Sequence, residues 1–370
     1  MIPFKYGRVV CGRDFCGRKA SIKELSEYIR SAQNIVLQGE RRIGKTSLIV
    51  ETASKLKKQK LLTVDLMAIK SSNDLCHRII KAIIQLESGG SFLAKTLKLL
   101  SHLRPQIGID PISNLPTISI DSSVQLAPDS LEEVFDLIQK LNQKKDLIIF
   151  LDEFQDVLNI PDSKQIMAIL RSKVQYHDTI AYIFAGSIRN QMDEIFINPD
   201  SPLFKSALPL TLQAIDENEF SKFIKNKFAQ GNREIPDLLL TRIYSYCDGI
   251  TGDIQQLCEA LWSISEGGEI IEENHFSAAF ELIFSREWRS YELVMNELTE
   301  IQTKCLIGLA NTDGFLPTSA SFLKHTGIQQ PSTVRKALTK LQKRNVIFKY
   351  EKRYRFVNPF FKSWLLFKGL

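Results

Sequence analysis

The stretch from residue 34 to residue 56 constrains the fold more than any other part of the sequence. An apolar run, NIVLQ, leads into GERRIGKT at 39–46, and the residues that follow carry apolar side chains at helical spacing. Between a strand and a helix, the pattern G-x-x-x-x-G-K-[ST] is typical of a loop whose backbone N–H groups bind phosphate oxygens. The sequence therefore predicts a site for a nucleoside triphosphate.

Each part of this loop has an expected role. Gly39 and Gly44 allow the backbone angles that turn successive N–H groups toward the phosphates. Lys45 is expected to reach the β- and γ-phosphates, and the Thr46 hydroxyl is expected to bind Mg²⁺. The residues predicted to contact the nucleotide here are Gly39, Glu40, Arg41, Arg42, Ile43, Gly44, Lys45, Thr46 and Ser47.

A second apolar run, LIIFL at 147–151, ends in Asp152 and Glu153. Five consecutive apolar residues are typical of a strand buried on both faces of a parallel sheet. We expect Asp152 to hold Mg²⁺, and Glu153 to orient or deprotonate the water that attacks the triphosphate. The alternative, that the acidic pair caps the next helix, is the weaker interpretation beside a phosphate loop.

Three further segments, at 61–66, 180–187 and 207–212, have the composition of buried strands. Alternation of such strands with helices predicts an α/β fold: a five-stranded parallel sheet layered by helices, with the ligand at the carboxyl ends of the strands. Ser187 ends one of these segments, where its hydroxyl would polarise the water at the γ-phosphate. A serine there caps the following helix equally well, and the sequence leaves both roles open.

Charge is unevenly distributed along the chain. The net charge is +6 over 370 residues, whereas the last forty residues contain eleven Lys or Arg and a single Glu. The six cysteines include no C-x-x-C pair, and no apolar run is long enough to cross a bilayer. These features argue against a zinc site, a disulfide framework and a membrane protein, and they predict a cytoplasmic location with reduced thiols.

The basic end of the chain has the element order of a winged helix. Three helical patterns follow residue 296, the second ending at Gly327 and the third capped by Ser332, and FKYEKRYRFVNPF predicts two strands with a basic turn. Exposed cations on such a domain bind DNA phosphates; the alternative is a basic face used for protein contacts or autoinhibition. The cations predicted to face duplex DNA are Arg335, Lys336, Lys340, Lys343, Arg344, Lys349, Lys352, Arg353 and Arg355.

Five ordered segments make the chain resemble the archaeal-type ATPases of the AAA+/STAND group of P-loop proteins, relatives of the origin-recognition and cell-division-control ATPases. These segments are FCGRK (15–19), GERRIGKTSL (39–48), LIIFLDEFQDV (147–157), FAGS (184–187) and GDIQQLCEALW (252–262). The resemblance implies that ATP or ADP is bound with Mg²⁺. It also implies that Phe15, Gly17 and Arg18 lie near the adenine.

The same resemblance makes Asp152 and Glu153 the magnesium and catalytic carboxylates, and it puts Ser187 at the first sensor position. The sequence departs from the family at two places. Many relatives carry an arginine that acts on a neighbour's γ-phosphate where this chain has Lys205, and a lysine does not reproduce a guanidinium fork. Relatives also often have Gly-x-Pro at the start of the lid helix, where this chain has GITGDIQQ with Thr251. We therefore expect slow ATP turnover.

The chain is expected to contain an ATPase core (1–212), a helical lid (213–290) and a winged helix (291–370). Residues 104–123 alternate apolar and polar side chains around a Pro/Asn turn, which predicts a hairpin insert that either docks a partner or is inert. The favoured function is an ATP-binding, slowly hydrolysing switch coupled to the winged helix. Two alternatives stay open: a DNA-binding regulator with ATP as a structural ligand, and a signalling scaffold that recruits a protein partner. The sequence also leaves a homo-oligomer open.

Overall fold

The chain forms two compact units in a computed structural model that describes residues 2–86, 105–109, 116–120, 130–187, 189–350 and 352–369. The first unit is Val9–Ala214. The second unit is Ile215–Leu370 together with Met1–Arg8. Within the described part of the chain, no helix combines the length and the apolarity that a bilayer crossing requires.

A parallel sheet forms the centre of the first unit. In chain order, the described strands of this unit are β1 (Ile35–Gln38), β2 (Lys60–Asp65), β3 (Pro105–Ile109), β4 (Pro116–Ile120), β5 (Leu147–Asp152), β6 (Ala181–Gly186) and β7 (Leu208–Thr211). The sheet has the order β2-β5-β6-β1-β7, and all its neighbouring strands are parallel. β6 is buried along its whole length and β5 is buried up to its last residue, Asp152. The predicted fold class is therefore confirmed.

Helices alternate with these strands and bury their apolar faces. They are α1 (Lys19–Arg30), α2 (Lys45–Lys55), α3 (Ser72–Leu86), α4 (Ser130–Lys145), α5 (Ser163–Tyr176) and α6 (Arg189–Phe196), with 3-10 turns at Gly12–Asp14 and Phe154–Asn159. One large apolar cluster joins β2, β5 and β6 to α3, α4 and α5. Separately, β3 and β4 pair in antiparallel register within the region predicted to form a hairpin insert. The turn between them, and the rest of 104–123, lie outside the described residues.

The second unit is mainly helical. Its described elements are α7 (Glu217–Ala229), α8 (Asp237–Tyr246), α9 (Thr251–Ile264), α10 (Glu273–Asn296), α11 (Glu300–Asn311), α12 (Ala320–Thr326), α13 (Pro331–Lys343), β8 (Ile347–Tyr350), β9 (Arg353–Phe356) and α14 (Pro359–Phe367). Residues 1–8 were predicted to belong to the ATPase core, but they pack with this unit. The reason is that Phe4 is buried against the rings of Phe228 and Trp262.

The end of this unit has the winged-helix order of three helices and a β-ribbon. β8 and β9 are antiparallel, and a single antiparallel bridge joins Phe315 to Arg353 in β9. α12 ends at Gly327, whose φ of +68° is the left-handed conformation of a helix C-terminus. The predicted cap of α13 is wrong: the helix begins at Pro331 after Gln330, two residues before the position that a Ser332 cap requires. Proline suits the first helical turn because its φ is fixed and its missing N–H is not needed there.

One continuous helix crosses the predicted boundary between the helical lid and the winged helix. α10 runs through the predicted boundary at 290/291, because its buried face continues to Tyr291. The hydroxyl of Tyr291 donates to Glu287 Oε2 (2.6 Å), and the same carboxylate accepts the side-chain amides of Gln256 from α9 and Asn358 from the winged helix. The predicted boundary therefore lies within a helix.

Candidate functional site

The phosphate loop connects β1 to α2 at the carboxyl end of the sheet. Gly39 lies so close to the chain leaving β7 that a Cβ on it would be 3.1 Å from the carbonyl oxygen of Leu212. Gly44 has a φ of +101°, which favours glycine. Ile43 is buried, so it offers a ligand only its backbone. The two glycines thus allow a tight turn that ends at the positive pole of α2.

Lys45 is buried at the first position of α2. Its Nζ donates to the carbonyl oxygens of Gly39 (2.9 Å) and Glu40 (3.1 Å). Burial lowers the pKa of this ammonium, and the nearby Glu153 and Asp152 carboxylates oppose that effect. A buried cation among loop carbonyls is stabilised by any anion that enters the loop, because the anion offsets the cost of its burial.

Thr46 and Asp152 bring two oxygen ligands together at the point where Mg²⁺ is predicted. The Thr46 hydroxyl donates to Asp152 Oδ2 (2.7 Å), and Asp152 Oδ1 accepts the N–H of Glu153 (3.0 Å). Burial raises the pKa of Asp152 above its ordinary value. A hydroxyl and a carboxylate are hard ligands that suit Mg²⁺, which takes one or two protein ligands and fills its other positions with water and phosphate oxygens. The residues present therefore fit this metal.

Glu153 is held by two donors at the end of β5. Its Oε2 accepts the Ser187 hydroxyl (2.8 Å) and the side-chain amide of Gln155 (2.6 Å). The backbone of Glu153 is left-handed, with a φ of +50°, a conformation that non-glycine residues adopt mainly where the surroundings hold them in it. The Ser187 hydroxyl therefore contacts the acidic pair, an arrangement that differs from both roles that the sequence left open for it.

Gln155 is a site residue that the sequence reasoning missed. Its side chain is 2% exposed. A Cβ on Gly186, the last residue of β6, would lie 2.6 Å from Gln155 Oε1, so glycine at this position makes room for the amide. The available signal was a polar residue just after the acidic pair, but nothing in the sequence indicates that this amide turns back to Glu153.

The segment 10–18 lies along α2 and reaches the phosphate loop. The N–H of Val10 donates to the Ser47 hydroxyl (3.1 Å), and the N–H of Gly12 donates to Glu51 Oε2 (2.7 Å). Ser47, predicted to contact the nucleotide, therefore uses its hydroxyl to hold this segment. Helix α2 thus fixes the chain that leads to the predicted adenine residues.

Of those adenine residues, the structure gives Arg18 a different contact. Phe15 is half-buried, and Gly17 has a φ of +69°. The Arg18 guanidinium donates through Nη2 to the carbonyl oxygen of Ile43 (2.6 Å) and through Nη1 to that of Gln213 (3.0 Å). The side chain of Arg18 is therefore directed at the outer side of the phosphate loop.

The loop arginines and Lys205 lie at the surface. Arg41 is exposed, and its charge contributes to lowering the pKa of Lys45. Arg42 is half-buried with a φ of +64°. Lys205 is exposed, and its Nζ lies 5.1 Å from the centre of the Phe204 ring.

The basic residues of the winged helix fall into two groups. The exposed cations are Arg335, Lys336, Lys340, Lys343, Arg344, Lys349 and Lys352, and Arg344 also pairs with Glu297 (2.9 Å). Arg353 and Arg355 are half-buried and both bind Asp248 Oδ1, at 2.9 and 2.6 Å, in the turn after α8. Two wing cations that were predicted to face DNA are therefore paired with a carboxylate of the same unit.

Residues 15–257 match the family described as an ATPase domain predominantly from Archaea, and residues 289–366 match a probable winged helix domain. A Walker-type ATPase of Pyrococcus abyssi is similar over 99% of this chain and 100% of its own, with 17% identity and a TM-score of 0.69. The ORC2 protein of Aeropyrum pernix, solved with ADPNP and ADP, is 14% identical over 99% of both chains, with a TM-score of 0.56. The ORC1 protein of the same organism, solved with DNA, is 14% identical over 96% of this chain and 95% of its own, with a TM-score of 0.51.

No curated protein matches the chain. The solved structures agree with the parallel sheet and the winged helix. Because their sequence identities to this chain are 17% or lower, they show the fold alone. The family match is of a different kind, because it spans more than half of the sequence and includes the phosphate loop and the acidic end of β5. The chain therefore belongs to the family of ATPase domains found predominantly in Archaea, followed by a winged helix domain.

Proposed function

We propose that this protein binds ATP with Mg²⁺, hydrolyses it slowly, and uses the bound nucleotide as a switch coupled to its winged helix. The observation that carries the proposal is a continuous set of contacts beside the phosphate loop: Thr46 to Asp152, Asp152 to Glu153, and Glu153 to Ser187. These side chains lie at the carboxyl ends of β5 and β6, which is where ligands bind in open parallel sheets.

Each residue in this set has a distinct chemical role. Lys45 and the loop N–H groups bind the phosphates, and Thr46 and Asp152 would hold Mg²⁺, which neutralises charge on the β- and γ-oxygens. Glu153 positions the attacking water and accepts its proton. Ser187 orients the Glu153 carboxylate. Slow turnover is expected because Lys205, at the position where relatives carry an arginine, supplies only a point charge.

Steady-state phosphate release tests the hydrolysis. Glu153→Gln keeps the size of the side chain but removes the base, so we expect kcat to fall by about 100-fold or more while ATP affinity is retained. Glu133→Gln, an exposed change on α4, is the matched control and should behave like the parent. Equal, background-level release from the parent and Glu153→Gln would refute the hydrolase.

Duplex DNA is the partner that the exposed cations favour. Arg335, Lys336 and Lys340 lie on the solvent side of α13, while the opposite side of this helix is buried in the domain. A helix in this position of a winged helix suits phosphate contacts and the major groove. The similar ORC1 structure is of a complex with DNA, which supports the same partner here.

A salt series decides between DNA and a protein partner. The logarithm of the affinity for duplex DNA should fall linearly with the logarithm of the salt concentration. The double variant Lys336→Glu/Lys340→Glu should bind DNA more weakly, and its affinity should depend less steeply on salt. The control reverses two exposed lysines of the first unit, Lys57 and Lys58. If the α13 variant binds DNA as the parent does, the DNA proposal fails and a protein partner becomes the favoured interpretation.

A further inference from the structure

The contact between Arg18 and the phosphate loop has no role in the function proposed above. Arg18 stands just before α1 with a left-handed backbone, at a φ of +59°. Its guanidinium bridges two carbonyl oxygens that are far apart in the sequence, those of Ile43 (2.6 Å) and Gln213 (3.0 Å). The fork of a guanidinium supplies two donors at once, so a single side chain joins the two segments.

The carbonyl of Ile43 belongs to the peptide group that leads into Gly44. In a trans peptide the C=O and the following N–H point in opposite directions, so fixing one fixes the other. Arg18 binds this carbonyl from outside the loop, and a Cβ on Gly44 would lie 4.0 Å from Arg18 Nη2. The N–H of Gly44 is therefore turned away from Arg18, toward the side on which a phosphate loop binds its ligand.

Gly44 makes this peptide easy to rotate. Its φ of +101° is a conformation that glycine reaches without strain, but glycine also populates alternative conformations at little cost. A charged hydrogen bond to the Ile43 carbonyl selects one of these orientations. Arg18 thus orders the loop before a phosphate arrives, which reduces the entropy that binding has to overcome.

The second carbonyl gives the guanidinium a fixed support. Gln213 follows β7, and the chain before it is held to β1 because the N–H of Leu212 donates to the carbonyl oxygen of Gln38 (2.7 Å). The loop peptide is therefore fastened to the edge of the sheet through Arg18. A lysine has one ammonium and no fork, so it would reach one carbonyl in place of both.

We propose that Arg18 is a positioning residue for the triphosphate: it holds the Ile43–Gly44 peptide with its N–H facing the phosphates, and it does not act by contacting the base. The inference rests on the proposed nucleotide binding. It assigns to Arg18 a role different from the one that the family resemblance implied. It also predicts that Arg18 matters for ligands that have no base.

Binding of ATP and of inorganic tripolyphosphate, each with Mg²⁺, tests the inference by calorimetry. For Arg18→Ala we expect both ligands to lose affinity by the same factor, about tenfold, because one charged hydrogen bond is lost in each case. Arg18→Lys should show a smaller, equally shared loss. KM for ATP should rise with kcat unchanged. Arg13→Ala, which removes an exposed cation from the same segment, is the control and should bind both ligands like the parent.

The outcomes are distinguishable. If Arg18→Ala weakens ATP but leaves tripolyphosphate unchanged, Arg18 acts on the base and the inference is wrong. If neither ligand is affected, it is also wrong. If Arg18→Ala fails to fold by circular dichroism, the comparison of the two ligands is made with Arg18→Lys. Parent protein that binds neither ATP nor tripolyphosphate would refute the proposed function itself.

Discussion

Glu153 depends on two donors that reach it from different directions along the chain. Gln155 follows it by two residues, whereas Ser187 comes from the end of the neighbouring strand β6, 34 residues away. Both donate to the same oxygen, Oε2, which fixes the plane of the carboxylate. An oriented base transfers protons more effectively than a mobile one, because the reacting geometry is already present. The position of the proposed base therefore depends on both the Ser187 hydroxyl and the Gln155 amide.

The first prediction concerns Ser187. In Ser187→Ala one of the two donors is lost, so we expect kcat for ATP to fall by about tenfold, as for the loss of one hydrogen bond to a charged group. The dissociation constant for ATP should stay unchanged, since Ser187 contacts the carboxylate and not the phosphate loop. Steady-state phosphate release measures kcat, and equilibrium binding measures the dissociation constant for ATP.

Ser206→Ala is the matched control, because the Ser206 hydroxyl donates to the carbonyl of Leu203, outside the site. The control should retain parental kcat. A rise in the dissociation constant of Ser187→Ala with unchanged kcat would mean that Ser187 binds ligand, and it would contradict the orienting role.

The second prediction concerns the pH dependence of stability at Asp152. Burial raises the pKa of Asp152 in the folded protein above 3.8, so the ionised form is disfavoured by folding. This group therefore costs stability above its folded pKa, and the cost disappears as the pH falls through that value. Without nucleotide or metal, Asp152→Asn should therefore raise Tm at pH 7, because the amide has no charge to bury.

Thermal unfolding from pH 7 down to pH 4 measures the difference in Tm between Asp152→Asn and the parent. It should shrink as the pH falls, because the parent carboxyl becomes protonated and then resembles the amide. Asp162→Asn, at an exposed position before α5, should shift Tm little at any pH. A difference between Asp152→Asn and parent that does not change with pH would show that the carboxyl charge is not its cause. The same variant should lose Mg²⁺-dependent hydrolysis, so stability and activity oppose each other here.

At the scale of the elements, the β-ribbon of the winged helix depends on one glycine. Gly314 has a φ of +77°, and a Cβ on it would lie 1.8 Å from the backbone oxygen of Tyr354 in β9. The N–H of Tyr354 also donates to the carbonyl of Gly314 (2.9 Å). The two backbones are thus in direct contact, which leaves no room for a side chain.

The third prediction follows from that contact. Gly314→Ala should lower the free energy of unfolding of the winged helix by about 3 kcal/mol or more, because backbone cannot move aside as a side-chain end can. Gly327→Ala is the control: its φ is +68° but nothing lies within 4 Å, so only the backbone strain of about 1 kcal/mol applies. Urea unfolding compares them. Equal losses in the two variants would refute the close-contact explanation.

What the sequence predicted well was local in the chain. Three features each consist of residues that are adjacent in the sequence, so spacing alone identifies them. They are the phosphate loop, the acidic end of β5 and the end of α12 at Gly327. What it missed depends on distant partners: Arg18 meets Gln213 across 195 positions. The start of α13 was placed wrongly because Ser332 and Pro331 both suit a helix start and the pattern does not rank them.

At the scale of the whole molecule, the positive charge of the winged helix is divided between solvent and the protein itself. Arg353 and Arg355 share Asp248, and each also lies over an aromatic ring, that of Phe315 (5.7 Å) and that of Tyr350 (4.4 Å), respectively. Asp248 belongs to the turn after α8, before the winged helix begins. The wing is therefore held to the turn after α8 by a carboxylate that would compete with a DNA phosphate for the same two guanidinium groups.

The last prediction is that Asp248 limits DNA binding. Asp248→Asn removes the competing charge, so Arg353 and Arg355 become available for up to two further phosphate contacts. The slope of log affinity against log salt should steepen by roughly 0.9 for each added contact. Asp237→Asn, whose parent carboxylate pairs with Lys225 and is 81% exposed, is the control for losing one acidic group in the same unit. The control changes the net charge by the same amount as Asp248→Asn. A steeper salt slope in Asp248→Asn alone would therefore report the release of Arg353 and Arg355. An identical salt slope in both variants would rule the competition out.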